Sequence, residues 1–312
     1  MMISMGNQEY FWCGVTDSGP LVSFIVLSYN HADFIEKTIR SISEQDYKNI
    51  EIIVIDDGST DNSVEFLKDL QGNISFKLFE KENGGVVSAI NFGVEKVSGV
   101  YTILHACDDI SLPRRTSHQV SVFSSYPDAS FVSSNVNLVN KDGVFKKELL
   151  KRKAVKLISL DDALLGADIT SVGCIYKTDV LKKIKLNENY IAEDPQIHLS
   201  LLKNNNYAVV DYAEPVLNYY LNAGGQMGTR FEQLVLQNMK LLREYEDNKF
   251  FKKAYQRVQI SYLSFLSENS KKKAFFYLFR NLNLIVVPGF QRVIVKMFLP
   301  IHFHGFFKND RT

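Results

Sequence analysis

Two acidic turns, about fifty residues apart, hold the side chains best suited to chemistry in this chain. Asp56 and Asp57 stand in IDDGSTDNS (55–63), and Asp108 and Asp109 in ACDDI (106–110). Each turn follows a short apolar run, IEIIVI (50–55) or VYTIL (100–104), of the kind that forms a buried strand. Carboxylates at the carboxyl ends of parallel strands lie in the crevice where open α/β sheets bind ligands. Two such pairs from one sheet point to a phosphorylated ligand held with a hard divalent cation, which takes oxygen donors and shares itself between carboxylates and phosphates. For Asp56 and Asp57 the plainer alternative is a turn that leads a strand into a capped helix. A third acidic pair, Glu193-Asp194, precedes Pro195. A carboxylate there could take the proton from an attacking hydroxyl, or Asp194 could cap the helix that Pro195 opens. Asn83-Gly84-Gly85 allows close backbone approach at a helix N-terminus, a natural place for a phosphate or a sugar, or makes an ordinary helix-start turn.

The elements that must position these groups are legible from hydrophobic periodicity. Strands are expected at 22–27, 50–55, 75–79 and 100–104, with helices at 32–45, 61–70 (capped by Thr60 or Asp61) and 86–97 between them. That alternation predicts βαβ units and an α/β fold with a mainly parallel, Rossmann-like sheet flanked by helices. Beyond Pro113 come a helix at 114–125, a hairpin across Lys141-Asp142-Gly143, a strand at 169–176 and a helix at 178–184. A helix opened by AEDP runs to about 202, followed by short strands at 207–211 and 215–220. From 228 onward the pattern is helical. The expected organisation is an extension at 1–20, a catalytic domain at 21–227 and a helical, basic C-terminal region at 228–312.

Composition is that of an ordinary globular protein, 46% hydrophobic and 23% charged, with ample core for its 312 residues. A net charge of +1 argues against a nucleic-acid partner. Three unpaired cysteines, Cys13, Cys107 and Cys174, favour a reducing compartment, and no CxxC offers a zinc site. The first twenty residues carry neither a basic nor an apolar signal region, so cytoplasmic residence is the expectation. GxGxxG and GxxxxGK[ST] are both absent, which argues against dinucleotide and P-loop phosphate binding.

VSFIVLSYN, IEIIVIDDGSTDNS, NGGVVSAINFGV, YTILHACDDISLP and AEDPQIHLSLL, in that order and spacing, resemble the family 2 glycosyltransferases over residues 22–220. The resemblance implies the A-type glycosyltransferase fold and metal-dependent transfer of a sugar from a nucleotide-diphosphate sugar, with inversion. It assigns Asp57 to the N3–H of a uracil base, with Asp56 beside it, and Tyr29 to the base or ribose unless that ring simply packs. Asn83, Gly84, Gly85 and Asp108 complete the expected nucleotide contacts. Asp108 would be the direct ligand of Mn2+ or Mg2+, with Asp109 a ligand or a support behind it. Asp194 would be the general base, with Glu193 aiding position or exchanging roles with it. Three positions depart from the family pattern. Ala106 stands where the first acid of Asp-x-Asp-Asp is usual, Ile90 where many members carry a basic residue, and Asn222 where many carry a histidine that reaches the diphosphate or metal. Asn222 is the weaker metal ligand of that pair, and the nearby Gly224-Gly225 could form a closing lid or a plain surface turn.

The last 42 residues carry a net +7, against −6 for the preceding 270, and contain eight Phe. Their longest charge-free runs, 281–291 and 297–307, are eleven residues each, too short for the ~20 that span a bilayer. Basic residues interleaved with Phe and Leu suit helices lying on an anionic membrane surface, or else a helical subdomain packed on the core. The expected enzyme is therefore peripheral on the inner face of the cell membrane. It would move a sugar, UDP-linked by preference, to a glycan or lipid-linked acceptor in surface polysaccharide biosynthesis. A catalytically silent partner of another transferase, and a nucleotidyltransferase lacking its usual Gly-rich loop, are the alternatives.

Overall fold

The apolar runs of the first hundred residues are buried almost without interruption, as strands are when helices cover both faces of their sheet. The computed structural model of the chain describes residues 19–140, 142–150, 155–220 and 230–298. β1 (Val22–Ser28), α1 (Ile35–Ser43), β2 (Ile50–Asp56), α2 (Ser63–Leu70), β3 (Lys77–Glu80), α3 (Val86–Val94) and β4 (Tyr101–Ala106) form the expected alternation. Side chains alternate across the sheet. Phe24, Val26, Ile52 and Val54 join α1 and α2 in one core, while Ile25, Ile53 and Ile55 join α3 in the other.

β5 (Ile110–Ser111), α4 (Arg115–Ser125), β6 (Phe131–Val139), β7 (Phe145–Glu148), β8 (Lys156–Ile158), α5 (Leu160–Leu164), β9 (Cys174–Lys177), α6 (Thr178–Leu181), α7 (Asp194–Leu201) and β10 (Ala208–Tyr220) follow. Strand order is β3-β2-β1-β4-β9-β6-β10-β5, with β7 on β6 and β8 on β10. Pairing is parallel through β3-β2-β1-β4 and between β6 and β10, and antiparallel elsewhere. The hairpin forms as β6 and β7.

Three local readings change. The two short strands expected around 207–220 are one strand, β10, with register shifts on either side of Pro215, the irregularity a proline without an N–H imposes. The strand expected at 169–176 begins as a 3-10 turn at Ser171–Gly173, because α4 takes the carbonyls of residues 172–174. α2 is capped at Asn62 with no side-chain bond, and Asp61 instead accepts the Ser63 N–H at 3.0 Å.

The helical region comprises α8 (Phe231–Leu242), α9 (Phe251–Asn269), α10 (Lys271–Arg280) and α11 (Phe290–Phe298). Leu241, Leu242, Tyr245 and Ala254 share a core with Leu164, Tyr190 and Leu199 of the sheet domain, so α8 and the start of α9 are built onto it. The end of α9 joins α10 and α11 around a separate small core. Among the described residues no helix is long and apolar enough to cross a membrane. The expected boundary at 227/228 and residues 1–18 of the expected 1–20 extension lie outside the described residues.

Candidate active site

The site is laid out by register. Ser28 pairs with Asp56, and Leu27 with Ala106, so β1, β2 and β4 end side by side and release Tyr29, Asp57 and Cys107 at one edge. Chain order reverses there, β2 lying on one side of β1 and β4 on the other, and such a switch point opens a ligand crevice. The two acids after β2 then part. Asp56, 1% exposed, accepts the Ser59 N–H at 2.8 Å, the Ser59 hydroxyl at 2.6 Å and the Ser28 hydroxyl at 3.2 Å. Its carboxylate closes the turn. Asp57 accepts Lys81 Nζ at 2.6 Å, the Gly84 N–H at 3.0 Å and the Gly85 N–H at 2.7 Å. About one of a carboxylate's roughly four acceptor positions remains for another donor. Tyr29 stands exposed beside this turn.

Asn83 fastens the same junction through its amide, which donates to the Asp57 carbonyl at 2.9 Å. Gly85 is the N-cap of α3 at φ 83° and ψ 169°, a conformation reserved for glycine, and α3 has no side-chain cap. Its first-turn N–H groups are thus open to a ligand. A cleft of about 380 Å³ lies over this end, lined by Asn83–Val87, Glu188, Tyr190, Ile191 and Arg230. Ile90, where a basic residue is usual, is 1% exposed in the core and does not reach the cleft.

The second acidic turn is fixed from three sides. Thr38 Oγ1 donates to the carbonyls of Cys107 and Asp109 at 2.8 and 3.0 Å, β5 pairs with β10, and the Leu112 N–H donates to the Val216 carbonyl. Asp108 is partly accessible, whereas Asp109 is 2% exposed. Burial and the neighbouring Asp108 charge push the Asp109 carboxyl up to about 8, opposed by Arg115 and by a backbone N–H from Tyr220. A site that crowds two carboxylates against one cation of the protein suits a further cation, and one or two carboxylates plus substrate phosphates are the usual Mg2+ donor set. Among the described residues no cluster of three or more metal-ligating side chains is present. Asp108 and Asp109 are the candidate ligands among the described residues, and Asn222 lies outside them. His105 is a packing group: Nδ1 lies 2.6 Å from the Ala106 carbonyl, Nε2 lies 2.9 Å from Ser111 Oγ, and burial pulls its pKa down to about 3.

Glu193 and Asp194 sit at the start of α7, with Pro195 in its first turn and no side-chain cap bond. The capping alternative is thus not realised. Burial raises the pKa of both acids, and the Asp194 charge raises Glu193 further. A hydrogen bond from the Ser171 side chain opposes the rise at Asp194. Ser171 is held in turn by fully buried Arg115, which donates to the carbonyls of Val172 (3.0 Å) and Cys174 (3.4 Å), and by Gln119, which donates to that of Gly173 at 2.7 Å. Burial draws Arg115 down only to about 10, so it stays charged at neutral pH. On the far side, Gln237 of α8 accepts the Ile191 N–H at 2.8 Å and donates to the Asn189 carbonyl at 3.0 Å. The Tyr219 hydroxyl is pushed up by burial and then by the charges of Asp109, Asp108 and Asp194. Sequence patterns do not single out Lys81, Arg115, Gln119, Ser171 or Gln237, because each matters only through contacts far along the chain.

A family model described as Glycosyl transferase family 2 matches residues 23–185, more than half of the chain. The chain belongs to glycosyl transferase family 2. Curated relatives include uncharacterised glycosyltransferases of Rickettsia species, 32–39% identical in the matched stretch, and the chain spans 18–32% of their length. The poly-β-1,6-N-acetyl-D-glucosamine synthase of Staphylococcus epidermidis is 27% identical over 168 residues, 52% of this chain and 41% of that one. Among solved structures, residues 1–349 of Staphylococcus aureus TarS, in complex with UDP-GlcNAc, superpose with a TM-score of 0.61 at 18% identity, over 89% of this chain and 79% of that one. The mannosyltransferase PcManGT of Pyrobaculum calidifontis, in complex with GDP-Man and Mn2+, superposes with a TM-score of 0.55 at 17% identity, over 95% of this chain and 91% of that one. This family 2 transferase thus has the A-type glycosyltransferase fold, a central sheet flanked by helices with a helical region after it.

Proposed function

We propose that this family 2 transferase moves a sugar, with inversion, from a nucleotide-diphosphate sugar to a sugar acceptor. The observation that carries the reading is the edge at which β1, β2 and β4 end together, where the candidate metal acids follow β4 and the charges of those acids and of the candidate base both raise the Tyr219 hydroxyl. A donor's diphosphate must lie beside the first and the attacking hydroxyl beside the second. Asp57 receives the base N3–H on its remaining acceptor position, with Tyr29 beside the base or ribose. Asn83, Gly84 and Gly85 present the N-terminus of α3 to the diphosphate or the sugar. Asp108 and Asp109, with the donor's phosphates, would hold Mn2+ or Mg2+, which when bound neutralises charge developing on the leaving nucleoside diphosphate. Asp194 takes the acceptor proton, with Glu193 beside it aiding position or exchanging roles with it. A UDP-sugar is the favoured donor. Complexes of TarS with UDP-GlcNAc and of PcManGT with GDP-Man and Mn2+ support a nucleotide-sugar donor, and the relationship to a poly-N-acetylglucosamine synthase supports a glycan acceptor in surface polysaccharide assembly. The setting is the cytoplasmic face of the cell membrane, with a lipid-linked acceptor.

Asp194→Asn tests the assignment. Donor binding should persist while turnover falls by about 10²–10⁴-fold, the usual worth of a general base. Undiminished turnover in that variant would remove Asp194 from the mechanism. Ala106 and the inward-turned Ile90 favour a second reading, a nucleotide-sugar-binding partner without activity of its own. Donor turnover by the pure protein, lost in Asp194→Asn, excludes it.

A further inference from the structure

The described helical region ends in a face that the other described residues do not cover. α9, α10, α11 and the 3-10 turn Leu282–Val286 close around Leu263, Leu266, Ala274, Leu284, Val293 and Met297. Outside that core Phe275, Phe276, Phe279, Val286 and Phe298 stand 46%, 57%, 76%, 85% and 70% exposed. The rings of Phe275 and Phe298 meet edge-on at 5.7 Å, so α10 and α11 contribute to one patch. Of the eighteen large apolar side chains exposed among the described residues, eight fall within 275–298. Such concentration, unlike scattered exposure, marks a surface with a partner.

Charge narrows the choice of partner. Residues 271–298 carry six Lys or Arg and no acid. Lys272, Lys273 and Arg292 are exposed, and the Arg280 guanidinium lies 4.2 Å from the Phe276 ring centre. Lys296 pairs with Glu268 at 2.5 Å. A second copy of the chain would set this basic face against its own image, like charge on like. α10 and α11, of ten and nine residues, are too short to span a bilayer, which takes about 20. Aromatic side chains that enter the acyl boundary, ringed by cations that stay among headgroups, fit an anionic lipid interface.

We propose that this face seats the protein on an anionic lipid surface, Phe276, Phe279, Val286 and Phe298 entering the bilayer edge and Lys272, Lys273 and Arg292 lying at the headgroups. The inference deepens the membrane setting given above and is independent of the donor site. The full chain is sedimented with vesicles of phosphatidylcholine, with and without phosphatidylglycerol. Binding is expected only to the anionic vesicles, abolished in Phe276→Glu/Phe279→Glu and weakened by about 25-fold in Lys272→Gln/Lys273→Gln, at about fivefold per charge. Both variants should keep the wild-type melting temperature and its rise with a UDP-sugar. Loss of vesicle binding is thereby separable from failure of the donor-site reading. Wild-type protein left in the supernatant overturns the proposal, as does equal binding to neutral vesicles. Concentration-dependent dimers abolished by Phe276→Glu/Phe279→Glu would give the face to a second copy. A clearly lowered melting temperature in that variant would give it to residues 299–312 of the same chain.

Discussion

Replacing Ser171 with alanine should move the acid limb of the pH–rate profile without changing its plateau. The Ser171 side chain is the hydrogen-bond partner that opposes the upward push of burial on Asp194. Hydrogen bonds to charged groups are worth about 1.5–3 kcal/mol, and one pKa unit corresponds to about 1.4 kcal/mol. Without the hydroxyl, ionised Asp194 loses that stabilisation, and the limb moves up by about one to two pH units. At a pH on the wild-type limb, turnover should fall by about 10–100-fold, recovering as pH rises until Asp194 is again ionised. The backbone should stay in place, because the carbonyls of residues 172, 173 and 174 are held by Arg115 and Gln119 rather than by Ser171. The assay is donor turnover from pH 5.5 to 9 at saturating donor, with Ser171→Thr as the variant that restores a hydroxyl. A loss by the same factor at every pH, or a limb that does not move, would refute the reasoning.

Asp108→Ala should abolish the donor-dependent rise in thermal stability that Mn2+ supports and EDTA removes. Saturation a hundredfold above the dissociation constant would contribute about 2.7 kcal/mol in the wild type, and an unchanged Mn2+-dependent rise in the variant would dismiss Asp108 as a ligand. Away from the site, His118 Nε2 meets Asp211 at 2.5 Å, and that contact raises the His118 pKa and helps lower that of Asp211. The raised histidine stabilises fully below its unfolded pKa of about 6.5 and progressively less as pH climbs through its higher folded value, while the lowered aspartate stabilises above about 3.9. Denaturant titrations should therefore show stability declining above about pH 6.5. His118→Gln should flatten that decline and cost about 1–3 kcal/mol near pH 6 by leaving Asp211 short of a partner; a slope retained in the variant would place its origin elsewhere.

What the sequence discloses and what it hides divide along a physical line. β1, β2 and β4 are legible because each is a largely apolar run buried on both faces, and the acidic turns are legible because they sit where such runs stop. α3 is recognisable from Asn83-Gly84-Gly85, although it stops at Val94 and not at Val97. β10 is not legible as one strand, since Pro215 breaks a local pattern that only its neighbours β6, β5 and β8 can restore. The supports of the candidate base are hidden for a related reason. Arg115 reaches the 171–174 segment from 57 and 59 residues away, and nothing in its local sequence separates a buried arginine from a solvated one. The asymmetry between Asp56 and Asp57 is hidden too, for it depends on which carboxylate Lys81 and the Gly84 and Gly85 amides approach.

Gln237 grips the backbone on both sides of Tyr190, and Tyr190 lines the cleft above α3 while its ring is buried against α8 and α9. The helical region is thus geared to the loop that leads into Glu193 and Asp194. Whatever displaces α8 must also reshape that loop, and whatever fills the cleft must press back on α8. Thermodynamic linkage makes the exchange symmetrical: if surface attachment through the helices alters donor affinity by some factor, bound donor alters surface attachment by the same factor. An enzyme wired in this way would report its location to its own cleft.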